Sequence, residues 1–210
     1  TESLASGRVL RVSSDGGDAS EEVVASCPLG FASAWSPDAS VLAVNGVPES
    51  GLAQLGFVRP GGEGRIEWWP SEAHEFGSSF SPDGRWVAYT SNRTVQHEVW
   101  IRSFPDGETE RQFSIDGGSK PLWLESGELF YRNGYRWLAS RVALTPELSW
   151  EPPRVVFETD FVGTSSRSYD VSPDGQRLLG IMRTREPVRA KLHVVHNWFQ
   201  ELKEKMREAE

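Results

Sequence analysis

The sequence predicts an all-β fold of repeated four-stranded units, a β-propeller, and three observations predict it. First, a Ser-Pro-Asp-Gly type of turn recurs. Aligning its serine, or the residue in its place, gives positions 36, 81, 124 and 172, spaced by 45, 43 and 48 residues. A repeat of about 40 to 50 residues with four short strands per period is the signature of propeller blades. Second, apolar residues around these turns alternate with period 2, which excludes the helical solenoids of similar period. Third, 9 tryptophans, 20 glycines and 13 prolines in 210 residues suit many short aromatic strands closed by tight turns.

The stretch from Phe80 to Ser91 shows the unit at its clearest. Pro82 presets φ for the second position of a type I turn, Asp83 suits the next, and Gly84 takes the positive φ that antiparallel pairing requires. Phe80 before the turn and Trp86, Val87 and Tyr89 after it fit a pleated sheet.

Along the chain, Arg8–Ser13 and Glu21–Ser26 read as two strands joined by Asp15-Gly16-Gly17, the outer half of a unit that spans residues 1–30. A first complete blade covers about 31–70. It opens with Phe31 to Asp38, carries Ala39 where glycine is preferred, and continues through Val41–Val44, Ala53–Val58 and Arg65–Trp69. The next covers about 76–115. After its hairpin, Glu98 to Phe104 alternates, with Val99, Ile101 and Ser103 on one face and Trp100, Arg102 and Phe104 on the other. Thr109–Ser114 supplies its fourth strand. A degenerate blade at about 119–158 keeps Trp123 and Gly127 but lacks Pro-Asp; its strands are Glu128–Tyr131, Trp137–Leu144 and Arg154–Phe157. A last one, 167–196, opens with Tyr169 to Gly175 and continues through Arg177–Met182 and Lys191–His196. Residues 197–210 are expected to form a short amphipathic helix: Asn197 can cap it, and Phe199, Leu202 and Met206 make one apolar stripe. The expected architecture is thus a propeller domain over 1–196, with about four blades plus a partial N-terminal one. The chain enters mid-pattern at Thr1, so we expect a piece of a larger propeller.

Composition narrows the function classes. A net charge of -8 with dispersed acidic residues disfavours a nucleic-acid surface, which requires clustered Lys and Arg. The single cysteine, Cys27, excludes an internal disulfide and a cysteine-built zinc site, and reads as a small buried hydrophobe. No apolar run approaches the roughly 20 residues of a membrane helix, and no stretch reads as a signal peptide.

The hairpins at Ser81 and Ser172 resemble the WD-like repeats of TolB-type propellers. Pro153–Phe157, Tyr169–Arg177 and Val194–Lys203, in that order, are similar to the C-terminal end of bacterial proteins in which a TolB-like propeller follows a serine/threonine protein kinase domain, or sometimes a winged-helix DNA-binding domain. The resemblance implies a sensor or docking module of a signalling protein, with chemistry carried by another domain. A TolB-like cell-envelope scaffold and a propeller hydrolase or lyase are the alternatives.

The residues offer little chemistry of their own. Kinase motifs are absent, and Gly61-Gly62-Glu63-Gly64 reads as a hairpin tip. Gly77-Ser78-Ser79-Phe80-Ser81 and Gly163 to Arg167 lack the second glycine of a nucleophile elbow. His193 and His196, three apart on a strand, point to opposite faces; His74 and His97 read as surface or satisfied histidines. The Asp-Gly pairs at Asp15, Asp83, Asp106, Asp116 and Asp174 are turns without calcium-loop spacing. Arg183, Arg185, Arg189 and Lys191 around Pro187 read as a solvated loop, and the tryptophans as packing between blades. No catalytic residue, metal or cofactor is expected. Architecture then directs attention to the loops entering the innermost strands: 27–30, 71–75, 116–120 and 160–168. Their polar residues His74, Lys120 and Arg167 are the candidate binding residues for a protein or small-molecule partner at that face. An open sheet edge would also offer a route to self-association.

Overall fold

A computed structural model describes residues 6–12, 20–159, 169–172, 175 and 177–181. The loop 160–168 with Arg167, the strand expected at 191–196, the basic stretch 183–191 and the helix expected over 197–210 lie outside the described residues.

The described fold is all-β and antiparallel throughout. A hairpin of β1 (Ser6–Val12) and β2 (Ser20–Pro28) comes first. Then follows a four-stranded sheet of β3 (Phe31–Trp35), β4 (Leu42–Gly46), β5 (Gln54–Val58) and β6 (Glu67–Trp68), paired in sequence order. The next sheet repeats that order with β7 (Glu75–Phe80), β8 (Trp86–Ser91), β9 (Glu98–Ser103) and β10 (Glu110–Gln112). The third has β11 (Ser119–Trp123), β12 (Glu128–Asn133) and β13 (Arg136–Ala143). Its outer edge is split: β14 (Ser149–Trp150) pairs with the end of β13 and β15 (Arg154–Glu158) with its start. Finally β16 (Tyr169–Val171) pairs with β17 (Leu178–Gly180). The sequence did not anticipate β14, and β6 is shorter than the expected 65–69.

The recurrent turn is a built unit. In two copies the serine hydroxyl donates to the aspartate two residues on, Ser36 to Asp38 and Ser81 to Asp83, each at 2.6 Å. The same oxygen accepts the amide five residues on at 3.0 Å, from Val41, Trp86 and, in a third copy, Arg177 to Ser172. Hydrogen bonds from Ser36, then from the amide and hydroxyl of Ser40, hold the Asp38 carboxyl down at about 2. The degenerate copy is one residue shorter: the Leu124 amide donates to Glu128, four residues on.

The residue that closes the turn takes a left-handed φ: 70° at Gly84, 83° at Gly127 and 69° at Gly175, but 55° at Ala39. An alanine there is strained by roughly 1 kcal/mol. Ala39→Gly is therefore expected to stabilise the protein by about 0.5–1 kcal/mol, raising Tm by roughly 1–4 °C. A lower Tm in thermal unfolding would contradict this reading of the turn.

Period-2 alternation decides where the core lies. Leu42 and Val44 face back onto Cys27 and Val9 of the hairpin, while Ala43 faces forward into a layer with Phe80, Val87 and Tyr89. Ala88, Val99 and Ile101 face forward again, onto Trp123, Leu129 and Tyr131, and Phe130, Trp137 and Ala139 enclose Tyr169 of the last sheet. Each of the three larger sheets is thus buried on both faces, and consecutive sheets share one apolar layer apiece. The first strands also touch directly: the Ser78 amide and hydroxyl donate to Ser33 Oγ at 3.0 and 2.9 Å, and the Trp123 amide donates to Ser79 Oγ at 2.9 Å. Strands β3, β7, β16 and β17 line a common cavity of about 390 Å³.

Tryptophan packing follows the same seams. Trp69 meets Phe57 and, from the next sheet, Phe104; Trp150 meets Phe113 of the sheet before it. Trp35 departs from the pattern, with 42% of its surface exposed.

Candidate functional site: the mouth at the start of the first strands

The loops that lead into β3, β7 and β11 converge on a cavity of about 490 Å³. Phe31 and Phe76 form apolar walls; Asn45, His97, Lys120 and Arg132 supply the polar groups. The loops are braced locally. The His74 carbonyl accepts the Asn92 amide at 3.2 Å, while Asn92 Oδ1 accepts the His74 amide at 2.8 Å. One sheet later, Asn133 Nδ2 donates to the Asp116 carbonyl at 2.9 Å.

Lys120 is the most constrained residue of this mouth. It lies at the register break of β11, between the pairs Ser119↔Arg132 and Leu122↔Phe130. The preceding sheet has the same break in β7, between Phe76↔Thr90 and Ser79↔Ala88, and there the left-handed residue is Gly77, with φ 66°. Lys120 adopts φ 55° without glycine's freedom. Two bonds clamp its backbone: the amide donates to Thr90 Oγ1 at 2.8 Å, and the carbonyl accepts the Tyr169 hydroxyl. Gly77 has the matching anchor one sheet earlier, its amide donating to Asn45 Oδ1 at 3.2 Å. A side chain near the end of β4, and another near the end of β8, thus hooks the first strand of the next sheet.

The Lys120 side chain is buried, at 8% exposure. Burial, and then the positive charge of Arg132, pushes its ammonium below the ordinary lysine value. Arg132 donates from Nε to the Gly134 carbonyl at 2.6 Å, and its guanidinium lies 5.7 Å from the centre of the Trp137 ring. Two cations therefore sit at the mouth of a protein whose net charge is -8.

Of the three residues that sequence reasoning selected, the structure places only Lys120 in this cavity. His74 is exposed and braces a loop, accepting the Ala53 amide on Nδ1 at 3.1 Å. Arg167 lies outside the described residues. Sequence reasoning missed Arg132, Asn45 and His97. A repeat alignment could have found the first two, because Asn45, Thr90 and Arg132 hold equivalent places, opposite Phe31, Phe76 and Ser119. His97 meets the edge of Phe76 at 5.3 Å, a contact with no local signature. Among the described residues, no three His, Cys, Asp or Glu side chains are grouped so as to hold a metal ion.

No protein-family model and no curated protein matches the chain. Solved structures do resemble it. A protein from Agrobacterium tumefaciens assigned as TolB superposes with a TM-score of 0.57 at 20% identity, over 74% of this chain and 58% of its own. TolB from Acinetobacter baumannii gives 0.59 at 18% identity, over 85% of this chain and 44% of its own. A protein from Bacteroides uniformis assigned as a 6-phosphogluconolactonase gives 0.51 at 15% identity, over 85% and 58%. At these identities the likeness speaks for the fold alone, and that fold is TolB-propeller-like. The chain spans about half the length of these proteins.

Proposed function

We propose that the chain is a non-catalytic binding module, a scaffold built on a TolB-like propeller that holds a protein or small-molecule partner at the mouth beside Lys120. In this reading the three larger sheets are blades of a longer propeller, and the hairpin β1–β2 is the outer half of another. The TolB-like neighbours favour the scaffold reading. The kinase-linked setting rests on the sequence likeness of the last third and has no counterpart among them.

The observation that carries the proposal is the strained lysine. Holding a non-glycine residue in the left-handed region costs roughly 1–2 kcal/mol, and burying its charge beside Arg132 adds to that cost. The sister position shows that glycine satisfies the fold there. Strain alone does not single out a site, as Ala39 shows, but at Lys120 it holds a cation in a cavity wall, and two cations beside apolar walls suit an acidic group on the partner.

Two variants of the intact protein test it. Lys120→Gly is expected to raise stability by about 1 kcal/mol while weakening partner capture, the trade-off of a binding site against its scaffold. Lys120→Ala with Arg132→Ala is expected to reduce crosslinked partner recovery at least roughly tenfold, equivalent to about 1.4 kcal/mol. Undiminished recovery with the double variant would sink the proposal. Hydrolysis of a sugar lactone by the intact protein, abolished in the same variant, would replace it with an enzymatic reading.

A further inference from the structure

A second cleft, of about 760 Å³, lies on the same face, between Pro28, the β4–β5 loop and the β6–β7 loop. Trp68, Pro48 and Pro70 wall it; Gln54, Glu49 and Glu72 provide its polar groups. Trp68 is firmly seated: a Cβ built on Gly46 would come within 2.6 Å of its ring, and one on Gly56 within 2.8 Å.

Gln54 is 5% exposed, and its amide group is committed on one side only. Nε2 donates to Ser50 Oγ and to the Ser71 carbonyl, both at 3.1 Å. Oε1 accepts no hydrogen bond among the described residues and is not sealed from solvent, so it is an open acceptor on the cleft lining. Glu49 and Glu72 are exposed on the rim, and neither has an ion-pair partner among the described residues. Among the described residues, no lysine or arginine lines the cleft.

We infer that this cleft receives a lysine or arginine side chain of a protein partner. An amide oxygen and two carboxylates all accept hydrogen bonds, as an ammonium or guanidinium requires. Trp68 brings an aromatic ring to the cleft wall, as suits a cation, and the prolines offer apolar surface to its aliphatic stem. A rim of exposed residues suits a side chain carried on an approaching surface better than a free amine, which gains from enclosure. The inference goes beyond the mouth reading and does not depend on it, since Lys120 and Arg132 are no part of this cleft.

The test is an NMR titration of the intact protein, following the Trp68 indole N–H and the Gln54 side-chain amide. The probes are acetyl-Gly-Lys-Gly-amide and acetyl-Gly-Arg-Gly-amide, with the norleucine peptide as uncharged control and spermidine as free amine. Both cationic peptides are expected to give saturable shifts. Glu49→Gln with Glu72→Gln should weaken them about three- to tenfold, as befits two exposed charges. Lys120→Ala should leave them unchanged. Equal shifts with the norleucine peptide, or indifference to the glutamate changes, would overturn the inference. Spermidine binding more than tenfold tighter than the peptides would overturn its assignment to a protein side chain.

Discussion

Replacing Arg93 by alanine is expected to destabilise the fold by about 3–5 kcal/mol at neutral pH. Arg93 stands just beyond β8 and joins two carboxylates. It donates to Glu75 at the start of β7 and to Glu110 on β10, and its ring of contacts includes the Tyr89 hydroxyl at 3.1 Å and Ser91 Oγ at 3.2 Å. The guanidinium lies 4.5 Å above Trp100, and Tyr89 donates to the same Glu110. Glu75 is fully buried; Ser71 Oγ supports Oε1 at 2.9 Å, while Oε2 is buried without a hydrogen-bond partner. One cation thus serves two carboxylates, and its removal leaves buried negative charge uncompensated.

The loss should depend on pH in a defined sense. Burial pushes the Glu75 carboxyl above the usual glutamate value, against the opposing pull of Arg93. Folded protein therefore holds this proton more tightly than unfolded chain does. Stability tied to Glu75 is complete below the unfolded value and is lost as pH rises through the folded one. Without Arg93 that window widens upward, so the variant should lose much less at pH 5 than at pH 7. Urea unfolding at both values measures it. A loss below about 1 kcal/mol at pH 7, within the range of ordinary surface changes, would show that the pair contributes little. If Arg93→Ala does not fold, the same change in a Glu75→Gln background retains the test, since removing the buried carboxylate should restore folding.

That network also marks the limit of what the chain shows before it is folded. The Ser81–Gly84 hairpin is legible because its donors, acceptors and φ values lie within six residues. Glu75, Arg93 and Glu110 lie on three separate segments and signal nothing locally. The same contrast applies at the mouth. Lys120 was selected from its loop position, whereas its strain becomes visible only when β11 is laid over β7 and Gly77 falls on it. His74 has equally suitable chemistry and position in sequence, yet its ring is spent on the Ala53 amide. Strand β14 escaped notice because Ser149 and Trp150 carry no alternation of their own and pair only because β13 is long enough to serve two partners.

The second large effect is expected at Trp137, where substitution by alanine should cost about 3–5 kcal/mol. Trp137 is wholly buried and stacks on Phe157 of β15, with centroids 5.5 Å apart and planes at 16°. Phe130 stacks against it at 5.8 Å, and Tyr169 of the last sheet meets it edge-on at 4.5 Å. The residue therefore holds β15 onto β13 and β16–β17 onto the third sheet. Because each pair of sheets has its own apolar layer, the damage should stay local, as in stacked repeat proteins. Hydrogen exchange should quicken at Tyr169–Val171 and Arg154–Glu158 while β4 and β8 keep their protection. Partner capture at the mouth should weaken too, since the Tyr169 hydroxyl clamps the Lys120 carbonyl. Trp35, with 42% of its surface exposed, supplies the comparison: alanine there should cost clearly less, about 1–2 kcal/mol. Comparable losses at the two tryptophans, or exchange that quickens evenly through all sheets, would show that the layers are not independent and that Trp137 is not the joint between them.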